Sequence, residues 1–166
     1  MKKQKMENNS MSLDEVIKKL EKKGINVTEA LLDILSKEDP EESSKERINL
    51  AEKYMKESED YIEKGDAVQA SEKAYKVAEE IVKALAEKFR TEEYEEFLKE
   101  GRWYTYLLGK ASKSLSKKLG YWILDGWNAG YDLHVWGFHE RKYSIEDIKV
   151  SLKKIEEMLM ESKKIV

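Results

Sequence analysis

The tightest constraint on the fold is the run from Ala67 to about Phe89, in which Ala67, Ala70, Ala74, Ala78, Ile81 and Leu85 recur at spacings of three and four. That period places them on one face of an α-helix. Gly65 breaks the pattern before it, and Asp66, with Gln69 three residues on, caps the new helix because an Asp side chain accepts from a free first-turn amide. A face built of alanine lets a neighbouring helix approach closely. The short link through Gly65 predicts that this neighbour runs antiparallel.

The neighbour is legible too. In Asp39-Pro40-Glu41-Glu42 the Asp accepts from free amides, the Pro is preset for a first turn and the acids favour the positive end of the helix dipole. A helix from there to Lys64 carries Ile48, Ala51, Met55, Ser58 and Ile62 on one stripe. Upstream, Ser12 and Glu15 form a capping box for a short helix with Leu13, Val16, Ile17 and Leu20 inward, stopped at Gly24. Thr28 is expected to cap a second, carrying Ala30, Leu31, Ile34 and Leu35.

Downstream, helices are predicted from Thr91 to near Gly101, from Trp103 to Leu119 with Tyr104, Leu108, Ala111, Leu115 and Leu119 inward, and from Tyr121 to about Val135, with Gly137 ending the pattern. Ser144 and Asp147 bracket the start of a last helix bearing Ile145, Ile148, Leu152, Ile155 and Leu159. No alternating period-two run occurs. The expected architecture is all-α with four or five principal helices: a disordered polar tail over residues 1–11, a helical hairpin over 12–38 packed on the bundle, and the bundle itself over 39–163.

Charged residues make up 39% of the chain, against about 25% in an average globular protein, so most helices should present one wet face. The excess is Lys and Glu and there is no Cys, a trend of hyperthermophile proteins. Without Cys there is no disulfide scaffold, thiolate zinc site or cysteine nucleophile. A net charge of −3 argues against a dedicated duplex-DNA binder. The absence of an apolar run of about 18 residues argues against a membrane span, and a cytoplasmic protein is expected.

The run Gly65-Asp66-Ala67-Val68-Gln69-Ala70-Ser71-Glu72-Lys73-Ala74-Tyr75, then Ile81 to Glu87, and later Leu133-His134-Val135-Trp136-Gly137-Phe138-His139-Glu140, resembles the archaeal PaREP family, placed among HEPN-like helical domains. The resemblance extends from about Ala30 to Glu161. It implies an up-and-down four-helix core, homodimerisation, and a link to RNA or to toxin and antitoxin chemistry. Active HEPN nucleases carry an Arg, four to six residues, then a His, and cleave RNA without metal. His134 matches that His, but Trp127, Asn128 and Ala129 stand where the Arg belongs.

The candidate residues follow. His134 shares a stripe with Ile123, Trp127 and Gly130, and an imidazole that titrates near neutrality can act as general base toward a ribose hydroxyl; the competing reading is a structural histidine near a helix end. Asn128 or Arg141 would then replace the missing Arg, though Asn brings no positive charge to a developing phosphorane. Gly126, Gly130 and Gly137 point either to close helix packing or to a recess beside His134. His139 follows His134 by five residues, about 140° around a continuous α-helix, which is poor metal geometry, so neither a metal nor another cofactor is expected. Four Trp and four Tyr between Trp103 and Trp136 suit either a core or base stacking beside the stripe Lys110, Lys113 and Lys117. Glu72 and Lys73 reach across a dimer interface or stay wet, and Glu79, Glu80 and Lys83 are expected to pair on the surface.

The leading expectation is therefore a non-catalytic homodimer that binds RNA or a protein partner through Trp127, Trp136, His139, His134 and the lysine stripe. A metal-independent endoribonuclease using His134, and an antitoxin-like or scaffolding subunit, are the competing expectations.

Overall fold

A computed structural model describes residues 10–166, and every described element is helical. The expected tail falls outside the described residues except for Ser10 and Met11. The helices are α1 (Leu13–Lys22), α2 (Val27–Glu38), α3 (Pro40–Glu63), α4 (Ala67–Phe89), α5 (Glu92–Glu100), α6 (Thr105–Leu119), α7 (Trp122–Asp132) and α8 (Ile145–Lys163). A π-helical segment, Leu133–His139, continues α7 without a break. Among the described residues no helix is long and apolar enough to cross a membrane.

Local chemistry starts most of these helices. Asp39, Asp66 and Thr91 each accept from the amide three residues on, and Ser144 and Asp147 close a reciprocal capping box, satisfying amides that have no partner within the helix. Asn26, not Thr28, caps α2, accepting from Glu29 at 3.1 Å. The helix expected from Trp103 begins at Thr105; Trp103 stacks instead on Phe97, ring centroids 5.0 Å apart.

α4 is the hub. It packs on α3, α7 with its π-segment, and α8, and every residue from Glu80 to Glu87 is buried. The expected alanine face is present, with Ala70, Ala74, Ala78, Ile81 and Leu85 buried. Charged residues off that face are drawn in as well, with Glu80, Lys83 and Glu87 buried.

The hairpin departs in part from the sequence expectation, since Leu35 packs on the core as expected beside buried Leu32, but other expected inward residues do not. Leu13 is 75% exposed, Leu31 57% and Ile34 59%, and no residue of α1 is buried. Beside Leu32 and Leu35, α2 and its cap Asn26 carry a stripe of polar residues at helical spacing that bonds to other helices. Asn26 donates to the Tyr54 hydroxyl at 2.9 Å, Glu29 accepts from Lys76 at 3.1 Å, Asp33 accepts from Arg47 at 2.8 Å and Ser36 pairs with the Tyr94 hydroxyl. Each bond satisfies a group that burial would otherwise penalise, so the polar stripe fixes the rotation of α2 and leaves Leu31 and Ile34 outside.

Candidate functional site

Where α7 becomes π-helical, its widened turn reorders the side chains. Bonds of the i→i+5 kind, seen where the amide of Glu140 donates to the Val135 carbonyl at 2.9 Å, bring residues five apart onto one face. His134 and His139, expected far apart around an α-helix, consequently meet: their Nε2 atoms are 3.2 Å apart and their planes cross at 81°. The expected angular separation is thus overturned by backbone geometry. Such π-turns are rare and concentrate at functional sites.

His134 is held from several sides. Glu72 Oε2 of α4 lies 2.9 Å from its Nδ1, which makes Nδ1 the protonated nitrogen when the ring is neutral and turns Nε2 toward His139. Tyr75, three residues and about one helical turn along α4 from Glu72, stacks on the imidazole at 4.1 Å and 28°. Phe138 stacks with His134 at 6.1 Å and stands edge-on to His139 at 5.0 Å. His134 is half-buried and His139 exposed. Burial and the neighbouring Glu79 push the Tyr75 hydroxyl well above the usual tyrosine range, so it stays protonated.

The three glycines are explained by packing. A Cβ on Gly130 would stand 2.8 Å from Ala78 Cβ, one on Gly126 would stand 2.8 Å from Met158 Cβ, and one on Gly137 would collide with Ser71. Gly137 therefore lets the π-turn press directly onto α4, and the alternative of a ligand recess made by these glycines falls. Tyr143, donating to both carboxylate oxygens of Asp132 at 2.9 and 2.8 Å, ties the end of the turn back to α7; burial and that carboxylate raise its hydroxyl to about 12.

The remaining sequence candidates scatter. Trp127 is buried, 5% exposed, and packs beside Tyr75, so it is core and not a binding surface. Asn128 is exposed on α7. Trp136 at 48% and Tyr131 at 43% are exposed near the histidines, and Arg141 and Lys142 are exposed just beyond them. Lys110, Lys113 and Lys117 are exposed on α6. Glu72 proves to be the partner of His134, while Lys73 pairs with Glu57 at 2.9 Å.

A second polar cluster escaped the sequence reading. Arg47 is fully buried and bonds Asp33, Glu80 and Glu87 together. Lys83 pairs with Glu80 at 3.1 Å, and the expected surface pairing of Glu80 and Lys83 is replaced by burial in the core. The signal was there: Arg47, Ala51, Tyr54 and Ser58 share one helical face, all buried. This network clamps α2, α3 and α4 together.

Residues 46–159 match the archaeal PaREP1/PaREP8 family. A crystal structure of a Sulfolobus solfataricus protein is similar at 34% sequence identity, with a TM-score of 0.63, covering 69% of this chain and 93% of that one. No curated protein matches this chain. The matched segment runs from the start of α3 into α8 and takes in Arg47, Glu72 and both histidines, and on that extent the chain belongs to the archaeal PaREP1/PaREP8 family.

Proposed function

We propose that this chain is a non-catalytic, homodimeric binding module that takes single-stranded RNA on the face formed by the π-turn. The observation that carries this reading is the exposure of Tyr131 and Trp136 next to the half-buried ring of Phe138, with His139, Arg141 and Lys142 exposed beside them. Rings offer sequence-tolerant stacking surfaces to unpaired bases, and adjacent cations meet the backbone phosphates. The HEPN-like resemblance points to the same class of partner.

Occupancy and charge around His134 support the non-catalytic reading. Glu72 engages Nδ1 of His134, and His139 stands against Nε2, so a ribose hydroxyl would have to displace His139 to reach that nitrogen. Buried Trp127 and neutral Asn128 bring no positive charge to a developing phosphorane. For the dimer, the outward Leu31 and Ile34 of α2 provide an apolar face that a second copy would cover in an isologous contact. Light scattering on wild type and Leu31→Glu tests the dimer; RNA titration of wild type and Trp136→Ala tests the face.

One observation favours a second reading, a metal-independent endoribonuclease. Glu72 on Nδ1 is the arrangement that prepares Nε2 as a base, and His139 stands where an acid partner is needed. On that reading Arg141 supplies the positive charge. Cleavage of labelled RNA in chelator, lost in His134→Ala, would establish it; no cleavage by wild type would end it.

A further inference from the structure

His134 and His139 are the only two histidines of the chain, and it has no cysteine. Their Nε2 atoms are 3.2 Å apart. Two imidazoles on one tetrahedral ion, each about 2.0–2.1 Å from it, place their nitrogens about 3.3 Å from each other. The spacing held by the π-turn matches the ligand–ligand edge of a transition-metal site.

What stands behind the ring strengthens the match. A ligating histidine ordinarily gives its other N–H to a carboxylate, which fixes the tautomer and raises the basicity of the donor nitrogen. Glu72 Oε2 occupies that place at 2.9 Å from His134 Nδ1. Tyr75, stacked at 4.1 Å, fixes the plane of the same ring. The exposed side of His139 gives an ion a path in from solvent.

We propose that His134 and His139 chelate one divalent transition-metal ion of the imidazole-preferring class, such as Zn²⁺, Ni²⁺ or Cu²⁺, through their Nε2 atoms, with Glu72 as the supporting carboxylate. Among the described residues no three His, Cys, Asp or Glu side chains converge on one point. The ion therefore keeps open positions, filled by water or by a donor from whatever docks there. Two neutral nitrogens select against Mg²⁺ and Ca²⁺, which want oxygen cages. This inference stands apart from RNA binding and survives its failure.

The test uses tag-free full-length protein, stripped with chelator and dialysed, titrated with Zn²⁺ by calorimetry and with Cu²⁺ by electron paramagnetic resonance. We expect one ion per chain, a spectrum showing two imidazole nitrogens, at least a tenfold loss of affinity in His139→Ala and in His134→Ala, and a loss of about tenfold or more in Glu72→Gln. His139 is exposed, so its variant keeps the fold, which circular dichroism checks. Unchanged binding by His139→Ala, a spectrum with oxygen donors only, or no saturable binding by wild type would each overturn the proposal.

Discussion

Glu72 of α4 and His134 of the π-turn, 62 residues apart in the chain, meet at 2.9 Å between Oε2 and Nδ1. The contact joins the two segments that carry the family resemblance, and it defines which nitrogen of His134 holds the proton. In metal-free protein, nitrogen-15 spectra of the imidazole should show the Nδ1–H tautomer as the main neutral form. Glu72→Gln should raise the share of the other tautomer, since an amide can donate as well as accept. An unchanged tautomer ratio in the variant would remove Glu72 as its cause.

Arg47 holds three carboxylates in the core. Removing one partner of a buried charge cluster leaves the others uncompensated, so Arg47→Leu should cost about 3–5 kcal/mol in urea unfolding. Adding Glu80→Gln and Glu87→Gln to Arg47→Leu should return part of that loss, because the orphaned charges go with them. A triple variant less stable than Arg47→Leu alone would contradict this.

Two acids near that cluster titrate with opposite signs. Burial pushes the carboxyl of Glu29 up, but Lys83 and Lys76 together hold it below its ordinary value of 4.5. Its contribution to stability is therefore present above that value and lost as pH falls through the lowered one. For Glu87 burial outweighs Arg47 and raises the group above 4.5, so its contribution is full below that value and declines as pH rises through the raised one. Unfolding free energies measured across about pH 3 to 8 should show Glu29→Gln losing part of the acid-side slope and Glu87→Gln losing an opposing one.

Glycines on neighbouring helices should respond in opposite directions to alanine. Helix propensity favours Ala by about 1 kcal/mol, and at Gly109 the added Cβ meets Trp127 Nε1 at an ordinary 3.6 Å, so Gly109→Ala should stabilise by up to about that amount. At Gly130 the same Cβ would stand 2.8 Å from Ala78 Cβ, and separating α7 from α4 costs about 1–3 kcal/mol. Gly130→Ala should be destabilising on balance, and Ala78→Gly in the same chain should relieve the clash. Thermal unfolding of wild type and these three variants decides it.

Much of the fold is legible in the sequence because capping and helical period are local signals: Asp39, Asp66 and Ser144 start the helices they were expected to start. The hairpin is not, because Asn26, Glu29, Asp33 and Ser36 face inward only by virtue of Tyr54, Lys76, Arg47 and Tyr94 on other elements. At the candidate site His134 was visible, whereas its bond to Glu72 and its approach to His139 were hidden. Both depend on the i→i+5 turn that Gly137 permits against Ser71, and an α-helical count of angles cannot supply that turn.

The most direct measurement of the proposed role is fluorescence anisotropy of a labelled single-stranded RNA of about ten nucleotides, titrated at low salt with wild type and with Trp136→Ala. Losing one stacked base is worth about 1–3 kcal/mol, so the variant should bind about 5- to 150-fold more weakly while keeping its helicity and its dimer mass. Equal affinity of the two proteins, or no binding by wild type, would contradict an RNA-binding face at the π-turn.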